Sequence, residues 1–452
     1  MSVNITSVAV SGIAAAEAEI AATESNISNA SNPNYSAESV VLAAAPGAQG
    51  QGIGVEVLGT QRAQAPFLTG QIDSAQSSAS FNQAFTQATT LAQNYISPSG
   101  GTDLSGYLQD LFNSFTTLSA SPTDPSARTA AISAATNFAQ ASATLSGNLQ
   151  QTAGDQLAQL GTLVSQVNNI TQQVAALNSQ VQSTQAQGGS AAALLDQRDG
   201  LVAQLSQLIG ATADSAGNVT VNGVPLVSGA NALTLSTTGT GVNVGLQVTL
   251  THGTLPLQPA QLGGSIGGVI SGAASVLQAQ SSLNGFATSV AGAINSVYST
   301  GYGLDGSTGN TLFVVPGTSG APISINPAVT EQNFAAAASA AGVPGDGSNA
   351  AALANLAAAT NLDSAAPSET LGQAFTAIAS QFGSTVANAT TNQQQATATL
   401  TSLQTLQSSI TGVSLNDQLT HLVQYQNALE AAGRALQSAN DITQYLIQVS
   451  SQ

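Results

Sequence analysis

The stretch VSLNDQLTHLVQYQNALEAAGRALQSANDITQYLIQVSS, residues 413–451, carries the pattern that decides the fold. Apolar residues recur in it every seven positions in two rows, and the second row follows the first by three residues. An a/d alternation over about four heptads is typical of a helix that packs against another helix along a narrow seam. The two rows are Leu415, Leu422, Leu429 and Leu436, and Tyr425, Ala432, Ala439 and Leu446.

The first thirty residues show the same alternation. Neither helix can bury its seam alone, although burying one Leu or Ile is worth about 1.5–3 kcal/mol. We therefore expect the two ends of the sequence to pair with each other or with neighbouring copies of the chain. The N-terminal rows are Ile13, Ile20 and Ile27, and Ala9, Ala16, Thr23 and Ala30.

Charge is scarce in this chain of 452 residues, which is long enough for two or three domains. Charged residues make up 6% of it, against about 25% in ordinary soluble proteins. The net charge is −17, and Lys is absent. Nucleic acid is therefore excluded as a partner, as is a basic helix on a membrane surface, because both need clustered cations. The four cations are Arg62, Arg128, Arg198 and Arg434.

Segments that would direct the chain into or across a membrane are not expected. The N-terminal sequence lacks the positive start of a secretory signal, and glutamates interrupt its apolar residues, so we predict no cleaved signal peptide. The apolar runs are rich in Ala and broken by Ser, Thr or Gly, so we predict no membrane insertion. Cys is absent, so the chain uses neither disulfides nor thiol ligands.

Between the two ends the sequence predicts more helix, interrupted by one β region. Apolar residues spaced three and four apart run through 157–181, as on one face of a helix. Composition changes at 211–258, where apolar residues alternate along VNVGLQVTL and Asn222-Gly223 gives a hairpin signal. The predicted fold is mainly α with a small inserted β region and a coiled-coil-like domain made by the terminal helices.

The expected domains follow these changes. We expect the two halves of the inner helical domain at 1–40 and 412–452. We expect the helical part of a middle domain at 41–210, the β region at 211–258, and the rest of the middle domain, with helices, a short strand and loops, at 259–411.

Catalytic and metal-binding patterns are nearly absent. Residues Gly263 to Gly267 match the G-x-S-x-G pattern of serine hydrolases around Ser265. That pattern needs a buried strand before it and a triad histidine, whereas the preceding LQPAQL is a poor strand. The two histidines, His252 and His421, form no metal-ligand cluster. We predict no enzyme, no cofactor and no metal, and keep a secreted serine hydrolase as a minor alternative.

The segment Asp196-Gln197-Arg198-Asp199 concentrates three charges on one predicted helix. Asp196 and Asp199 lie three residues apart and share a face. Arg198 offers a planar fork of donors, so we predict a structural ion pair or a clamp on backbone carbonyls between helices.

Several stretches resemble the axial proteins of the bacterial flagellum, and in particular the family of the first hook-associated protein, the hook–filament junction protein. The sequence SGIAAAEAEIAATESNISNASNPNYS, residues 11–36, resembles the heptad helix and Asn/Pro/Tyr turn that open flagellar rod, hook and hook-associated proteins. Three further stretches narrow the resemblance to that family: LLDQRDGLVAQLSQLIG at 194–210, GGSIGGVISG at 263–272, and GVSLNDQLTHLVQYQNALEAAGRALQSANDI at 412–442.

The resemblance implies an elongated, multi-domain axial protein that is structural and extracellular. Its expected partners are its own copies in a ring, the hook protein, the next junction protein and an export chaperone, after passage through the flagellar type III export channel. The terminal seams would form an inner tube. The turn at Asn29, Asn32, Pro33 and Tyr35 would direct the chain outward at the domain corner. Another axial protein (hook, rod or second junction protein) is the alternative.

Overall fold

Helices make up most of the described chain, which comprises residues 2–32, 35–46, 52–239, 244–250, 253–316, 321–363, 365 and 368–450 of a computed structural model. The helices are α1 (Ser2–Asn29), α2 (Pro66–Ile96), α3 (Leu104–Ala120), α4 (Pro125–Ala158), α5 (Leu160–Ala186), α6 (Ala192–Ile209), α7 (Gly264–Tyr298), α8 (Ser348–Asn355), α9 (Leu371–Thr411) and α10 (Leu415–Ser450). Short 3₁₀ turns lie at Pro259–Gln261, Ala340–Gly342 and Leu356–Ala358.

The strands form four small antiparallel sheets. The strands are β1 (Glu38–Pro46), β2 (Gly52–Arg62), β3 (Thr212–Ala213), β4 (Val219–Val221), β5 (Val224–Ser228), β6 (Asn231–Ala232), β7 (Thr234–Thr238), β8 (Gly245–Leu250), β9 (Gly253–Leu257), β10 (Phe313–Val314) and β11 (Ser324–Ile325). The pairs β1–β2 and β10–β11, the four strands β3–β6, and the three strands β7–β9 make the sheets.

The body of the protein, α2 to α9 with the strands between them, is built on two apolar clusters. The first joins α2, α3, α4, α7, α8 and α9 around buried phenylalanines such as Phe115, Phe286 and Phe375. The second packs α5, α6 and the start of α7 against the strands of 211–258. Because α7 contributes to both clusters, it ties the β region to the helical part of the body.

The predicted small inserted β region is confirmed, and its strands lie between Thr212 and Leu257. Asn222 and Gly223 adopt φ of 50° and 79° between β4 and β5, the geometry that the Asn-Gly signal predicts. Leu246 and Val248 of β8 are buried on one face, as their alternation requires. Val242 and His252 lie outside the described residues. Gly210 ends α6 in the left-handed conformation, with φ of 72°.

The G-x-S-x-G match is a helix start and not a nucleophile elbow. A 3₁₀ turn and one further residue, Leu262, precede it, where a hydrolase needs a strand. Gly264 has φ of 63° and its N–H donates to Ser77 Oγ at 3.0 Å, so these glycines serve close packing between α7 and α2. His421 lies on α10, outside both body clusters.

Helix α1 is more apolar than the sequence analysis expected of any segment of the chain. Its segment Ile5–Asn29 has a mean hydropathy of 1.4, so length and composition alone would let it cross a membrane. The structure packs α1 against α10 and against both strands of the β1–β2 hairpin instead. Glu17 and Glu24 are exposed on its surface.

The β1–β2 hairpin was not predicted, because residues 41–62 fell within the expected helical part of the middle domain. Short alternation and the glycine-rich sequence PGAQGQG at 46–52 are the signals that indicate it. The hairpin has register shifts near Gly54 and Gly59, whose φ values of 127° and 135° suit glycine. The expected domain boundaries otherwise stay predictions.

Gly54 provides a test of how the hairpin packs on α1. A Cβ at Gly54 would overlap the Ser11 side chain of α1, whereas a Cβ at Gly59 would meet no atom within 4 Å. Both positions have positive φ, so Gly54→Ala and Gly59→Ala share the backbone strain. We expect Gly54→Ala to cost about 1–3 kcal/mol more in unfolding free energy, because of overpacking. Urea unfolding followed by amide exchange of 52–62 measures it; equal losses in the two variants would contradict the packing.

Candidate functional site

The candidate site is the stalk, which we define as α1, the β1–β2 hairpin and α10. Helices α1 and α10 pack along each other and run antiparallel, since Asn26 contacts Gln418 while Gly12 lies opposite Ala432. The two ends of the sequence therefore pair within one chain, which is one of the two arrangements that the heptads allowed.

The predicted seam residues are partly covered by this pairing. Those between Gln418 and Thr443 are half-buried or buried, while Leu415 and Leu446 at the two ends are 50% and 52% exposed. The half-buried set is Ile13, Ile20, Ile27, Leu422, Tyr425, Leu429 and Leu436. The part that this seam plays in assembly stays a prediction.

A second apolar flank of the stalk remains uncovered. On α10, Leu419 and Val423 directly follow the seam residues Gln418 and Leu422, about 100° further around the helix, and are 52% and 57% exposed. Most exposed large apolar side chains of the described residues belong to the stalk. They are Ile5, Val8, Val10, Leu42, Ile53, Val57, Leu58, Leu415, Leu419, Val423, Ile442, Tyr445, Leu446, Ile447 and Val449.

Asn26 of α1 holds the corner of the stalk together, although the sequence did not single it out. Its side chain is 2% exposed. The Oδ1 atom accepts hydrogen bonds from Tyr35 OH and from the N–H of Glu38, both at 2.8 Å. The Nδ2 atom donates to the carbonyl of Glu38 at 2.9 Å and to Gln418 Oε1 of α10 at 3.0 Å. One amide thus connects α1, β1 and α10.

The predicted corner residues have different roles. Tyr35 serves through its hydroxyl, which reaches Asn26. The side chain of Asn29 stays within α1, where it donates to a carbonyl one turn earlier at 3.0 Å. A turn does follow α1, since the N–H of Asn32 donates to the carbonyl of Asn29 at 2.8 Å. Pro33 lies outside the described residues.

The joint between stalk and body is an ion pair that corrects one prediction. Arg62, at the end of β2, donates from Nη1 to Asp196 Oδ1 at 2.6 Å and from Nη2 to Asp199 Oδ2 at 2.5 Å. The N–H of Ser36 also lies 3.5 Å from Asp196 Oδ2. The two aspartates on α6 therefore bind Arg62, so an ion pair between them and Arg198 is not formed. The alternative prediction for Arg198, a clamp on backbone carbonyls, stays a prediction.

Arg198 faces a different part of the body. It is 7% exposed, and its guanidinium donates to Asn178 Oδ1 at 3.3 Å and approaches the carbonyl of Ser215 at 3.5 Å. Within the described residues no ion pair joins it to Asp196 or Asp199. The physical reason is helix geometry: three-residue spacing turns both carboxylates to the hairpin, while Arg198 points between α5 and the loop after β3.

Asp73 of α2 completes a group of charges at this joint. It is 8% exposed, and burial together with the negative charge of Asp199 raises the pKa of its carboxyl group to about 6. Burial also raises the pKa of Asp196 and of Glu38, despite the opposing effect of Arg62. We call Glu38, Arg62, Asp73, Asp196 and Asp199 the acidic joint.

No group of three or more His, Cys, Asp or Glu side chains among the described residues could hold a metal ion. The candidate site consists of apolar and polar contacts, with exposed apolar side chains along one flank of α10.

Asn26→Ala tests the corner. The substitution removes four hydrogen bonds, including those to the half-buried Glu38 backbone and the half-buried Gln418 side chain, so we expect a loss of about 2–4 kcal/mol in stalk stability. Asn29→Ala is the matched control, because the Asn29 side chain bonds only within α1, and should cost less than about 1 kcal/mol. Amide exchange across 2–62 and 415–450 measures both; similar protection in the two variants would refute the role of Asn26.

Asp73→Asn tests the acidic joint. Since the folded-state pKa of Asp73 lies above the ordinary 3.8, its ionisation disfavours the folded state as pH rises through about 4 to 6. We expect Asp73→Asn to raise the unfolding free energy at pH 7 by up to about 3 kcal/mol, with little change at pH 4. Asp214→Asn, at an exposed carboxylate whose pKa is lowered, is the control and should give no gain at pH 7. Urea unfolding curves at pH 4 and pH 7 decide; an unchanged midpoint at pH 7 contradicts the expectation.

Comparison with known proteins gives consistent matches. The family model described as the flagellar hook-associated protein FlgK helical domain matches residues 89–313, which cover most of the helical body and all of the β region. Flagellar hook-associated protein 1 of Escherichia coli (strain K12) is 27% identical over 324 residues, covering 68% of this chain and 59% of that protein. The protein of the same name from Salmonella typhimurium is 27% identical over 325 residues, covering 68% and 58%.

A solved structure matches as well. The flagellar hook junction protein FlgK from Burkholderia pseudomallei superposes with a TM-score of 0.50 at 28% identity, covering 55% of this chain and 47% of that one. The chain thus spans less than two thirds of the length of these curated relatives. Sequence and structure agree on one assignment, and the chain belongs to the FlgK family of flagellar hook-associated proteins.

Proposed function

We propose that the chain is a structural component of the bacterial flagellum that forms a ring joining the hook to the filament. Its relatives carry the names hook-associated protein and hook junction protein. The proposed location is extracellular, at the hook–filament junction, after transit through the flagellar type III export pathway. The proposed partners are other copies of the chain, the hook protein, the next junction protein and an export chaperone.

The uncovered apolar flank of the stalk is the observation that carries this proposal. Soluble monomers rarely expose contiguous apolar surface beyond a few hundred Å², and larger patches mark surfaces that bind other proteins. The stalk exposes Leu415, Leu419 and Val423 along one side of α10, at steps of four residues. A structural role in assembly accounts for such a flank, whereas an enzymatic role accounts for none of it.

The weak stability of a lone stalk is a physical reason why assembly would proceed on copies that are already in place. Its pairing buries mainly small side chains, such as Ala9, Ala16 and Ala439, so the pairing stabilises a lone stalk weakly. Contact with neighbouring stalks would bury the exposed flank and order the helices further. Folding of the stalk and its association are therefore coupled, and assembly is favoured where copies already stand.

Leu419→Asp combined with Val423→Asp tests the proposal. Both side chains point away from the seam, so the double variant should keep the melting curve and circular dichroism of the parent. In a strain of the source bacterium that lacks the natural gene, it should fail to restore motility. Electron microscopy should show hooks without filaments, with filament protein in the medium.

Two comparison variants sharpen this test. Gln426→Asp places the same charge at an exposed polar position of α10 and should restore filaments. Leu429→Asp places it in the half-buried seam and should lower stalk stability by roughly 1–3 kcal/mol, which separates misfolding from lost assembly. Normal filaments in the Leu419/Val423 double variant would refute the proposed function.

A further inference from the structure

A second apolar surface lies on the body, beside the base of the stalk. We call it the shoulder and define it as residues 66–78 of α2 and residues 399–410 of α9. Phe67 of α2 is 81% exposed, the largest exposed fraction of any large apolar side chain among the described residues. Leu406 and Ile410 of α9 are exposed as well. Exposed apolar side chains that lie close together mark surfaces that bind other proteins.

A groove of about 680 Å³ runs between the two segments of the shoulder. Small side chains of α2, such as Gly70, Ser74 and Ser78, leave it open on one side. Thr399 and Leu403 of α9 line the other side. Every residue that lines the groove is uncharged.

The exposed side chains of α9 lie on the same side of the helix as the groove. Thr399, Leu403, Leu406 and Ile410 follow one another at steps of four, three and four residues, so they lie within about 60° of each other around the helix axis. Phe67 stands beside the last turns of α9, because α2 and α9 pack antiparallel and share the groove. The shoulder is therefore one continuous surface.

The shoulder continues the uncovered flank of the stalk. Only four residues separate Ile410 from Leu415, the first residue of α10. The N–H of Ala37 donates to the carbonyl of Thr411 at 2.9 Å, which holds the stalk next to this end of α9. A stable interface buries about 800 Å² on each partner, and the flank from Leu415 to Val423 is only about 12 Å long. The flank thus needs further apolar surface, and the shoulder supplies it.

The shoulder carries no exposed charge, although the chain is strongly acidic. All 41 residues of α9 are uncharged. The only charged residue of α2 is Asp73, which is buried. The exposed carboxylates of the body lie on other elements, for example Asp110 on α3, Asp155 on α4 and Asp305 in the loop after α7.

The four cations of the chain are already engaged. Arg62 binds two aspartates of α6, and Arg128 and Arg198 are buried against oxygen acceptors of the body. Arg434 is exposed and pairs with Glu430 on its own helix. Two copies of the chain therefore repel each other through their carboxylates and have almost no cation to offset the repulsion.

We propose that the shoulder is a docking surface for a second copy of this chain, which covers Phe67, Leu406 and Ile410 when copies assemble. The inference rests on the proposed assembly of copies and extends their contact from the stalk to the body. A basic partner would be drawn to the exposed carboxylates, whereas a copy of like charge meets the least repulsion on an uncharged face. The cores of protein interfaces are depleted of charge in the same way.

A photoreactive side chain at position 67 tests what covers the shoulder. Phe67 is replaced by p-benzoylphenylalanine in the full chain, in the strain that lacks the natural gene, and cells that carry filaments are irradiated. We expect a cross-linked band with twice the mass of the chain, which contains peptides of this chain alone. The same probe at Gln180, an exposed residue of α5, should give only the background of this band.

Two introduced charges test the shoulder itself. With Leu406→Asp and Ile410→Asp added, the yield of the cross-link from position 67 should fall at least about fivefold, because the contact would bury unpaired carboxylates. Both side chains are exposed, so the melting curve should stay that of the parent. Gln404→Asp, an exposed position at least about 120° around α9 from both, should leave the yield unchanged.

The outcomes separate this inference from the proposed function. Attached filaments without a cross-link between copies, or a cross-link from position 67 to a different protein, would refute the shoulder and leave the junction role standing. An undiminished yield in the Leu406/Ile410 double variant would refute it too. If the variant at position 67 fails to fold, the same probe at Leu406 decides by the same criterion. Hooks that stay bare with the unmodified chain would refute the junction role, and the shoulder with it.

Discussion

The antiparallel packing of α2 against α9 is the contact on which the stalk depends. Asn26 and Gln418 are 392 residues apart in sequence, and closing so long a loop has an entropic cost that the seam alone does not offset. The body brings these two parts of the chain together, because α2 and α9 pack side by side with Gln93 near Gly383 and Gly70 near Thr399. The start of α2 and the end of α9 then present the chain to the stalk from one end of the body.

The body and the stalk are stabilised in different ways. Buried aromatic and aliphatic side chains hold the body, whereas the stalk buries mostly alanines together with Thr23 and Asn26. Burying an alanine contributes little area, so hydrogen bonds at Asn26 and the Arg62 ion pair carry much of the specificity. This division would suit the assembly role proposed for the stalk, since it leaves leucines and valines of the stalk exposed.

Periodicity in the sequence was sufficient to predict the long helices and the β region. It predicted that the two ends pair either with each other or with neighbouring copies, and the structure shows the first arrangement. Heptad rows and the Asn222-Gly223 turn are local signals, and local signals can be recognised in a sequence without knowledge of the tertiary structure. The hairpin was missed because β1 has no β-branched residue after Val41, although Ile53, Val55 and Val57 alternate along β2. The partner of Asp196 was misassigned because a contact between Arg62 and α6 spans 134 residues and depends on how two elements dock. Asn26 looked like an ordinary helix residue, and only its burial shows its role.

The length of α10 gives the acidic joint a mechanical consequence. Thirty-six residues of helix extend over about 54 Å, so α10 acts as a lever arm fixed near one end. A tilt of about 5° at its base moves the far end by about 5 Å, half the diameter of a helix. The proposed ring would tolerate little angular error per subunit. The Arg62 guanidinium, which lies between Asp196 and Asp199, would therefore determine how accurately the far end of α10 is positioned in each copy.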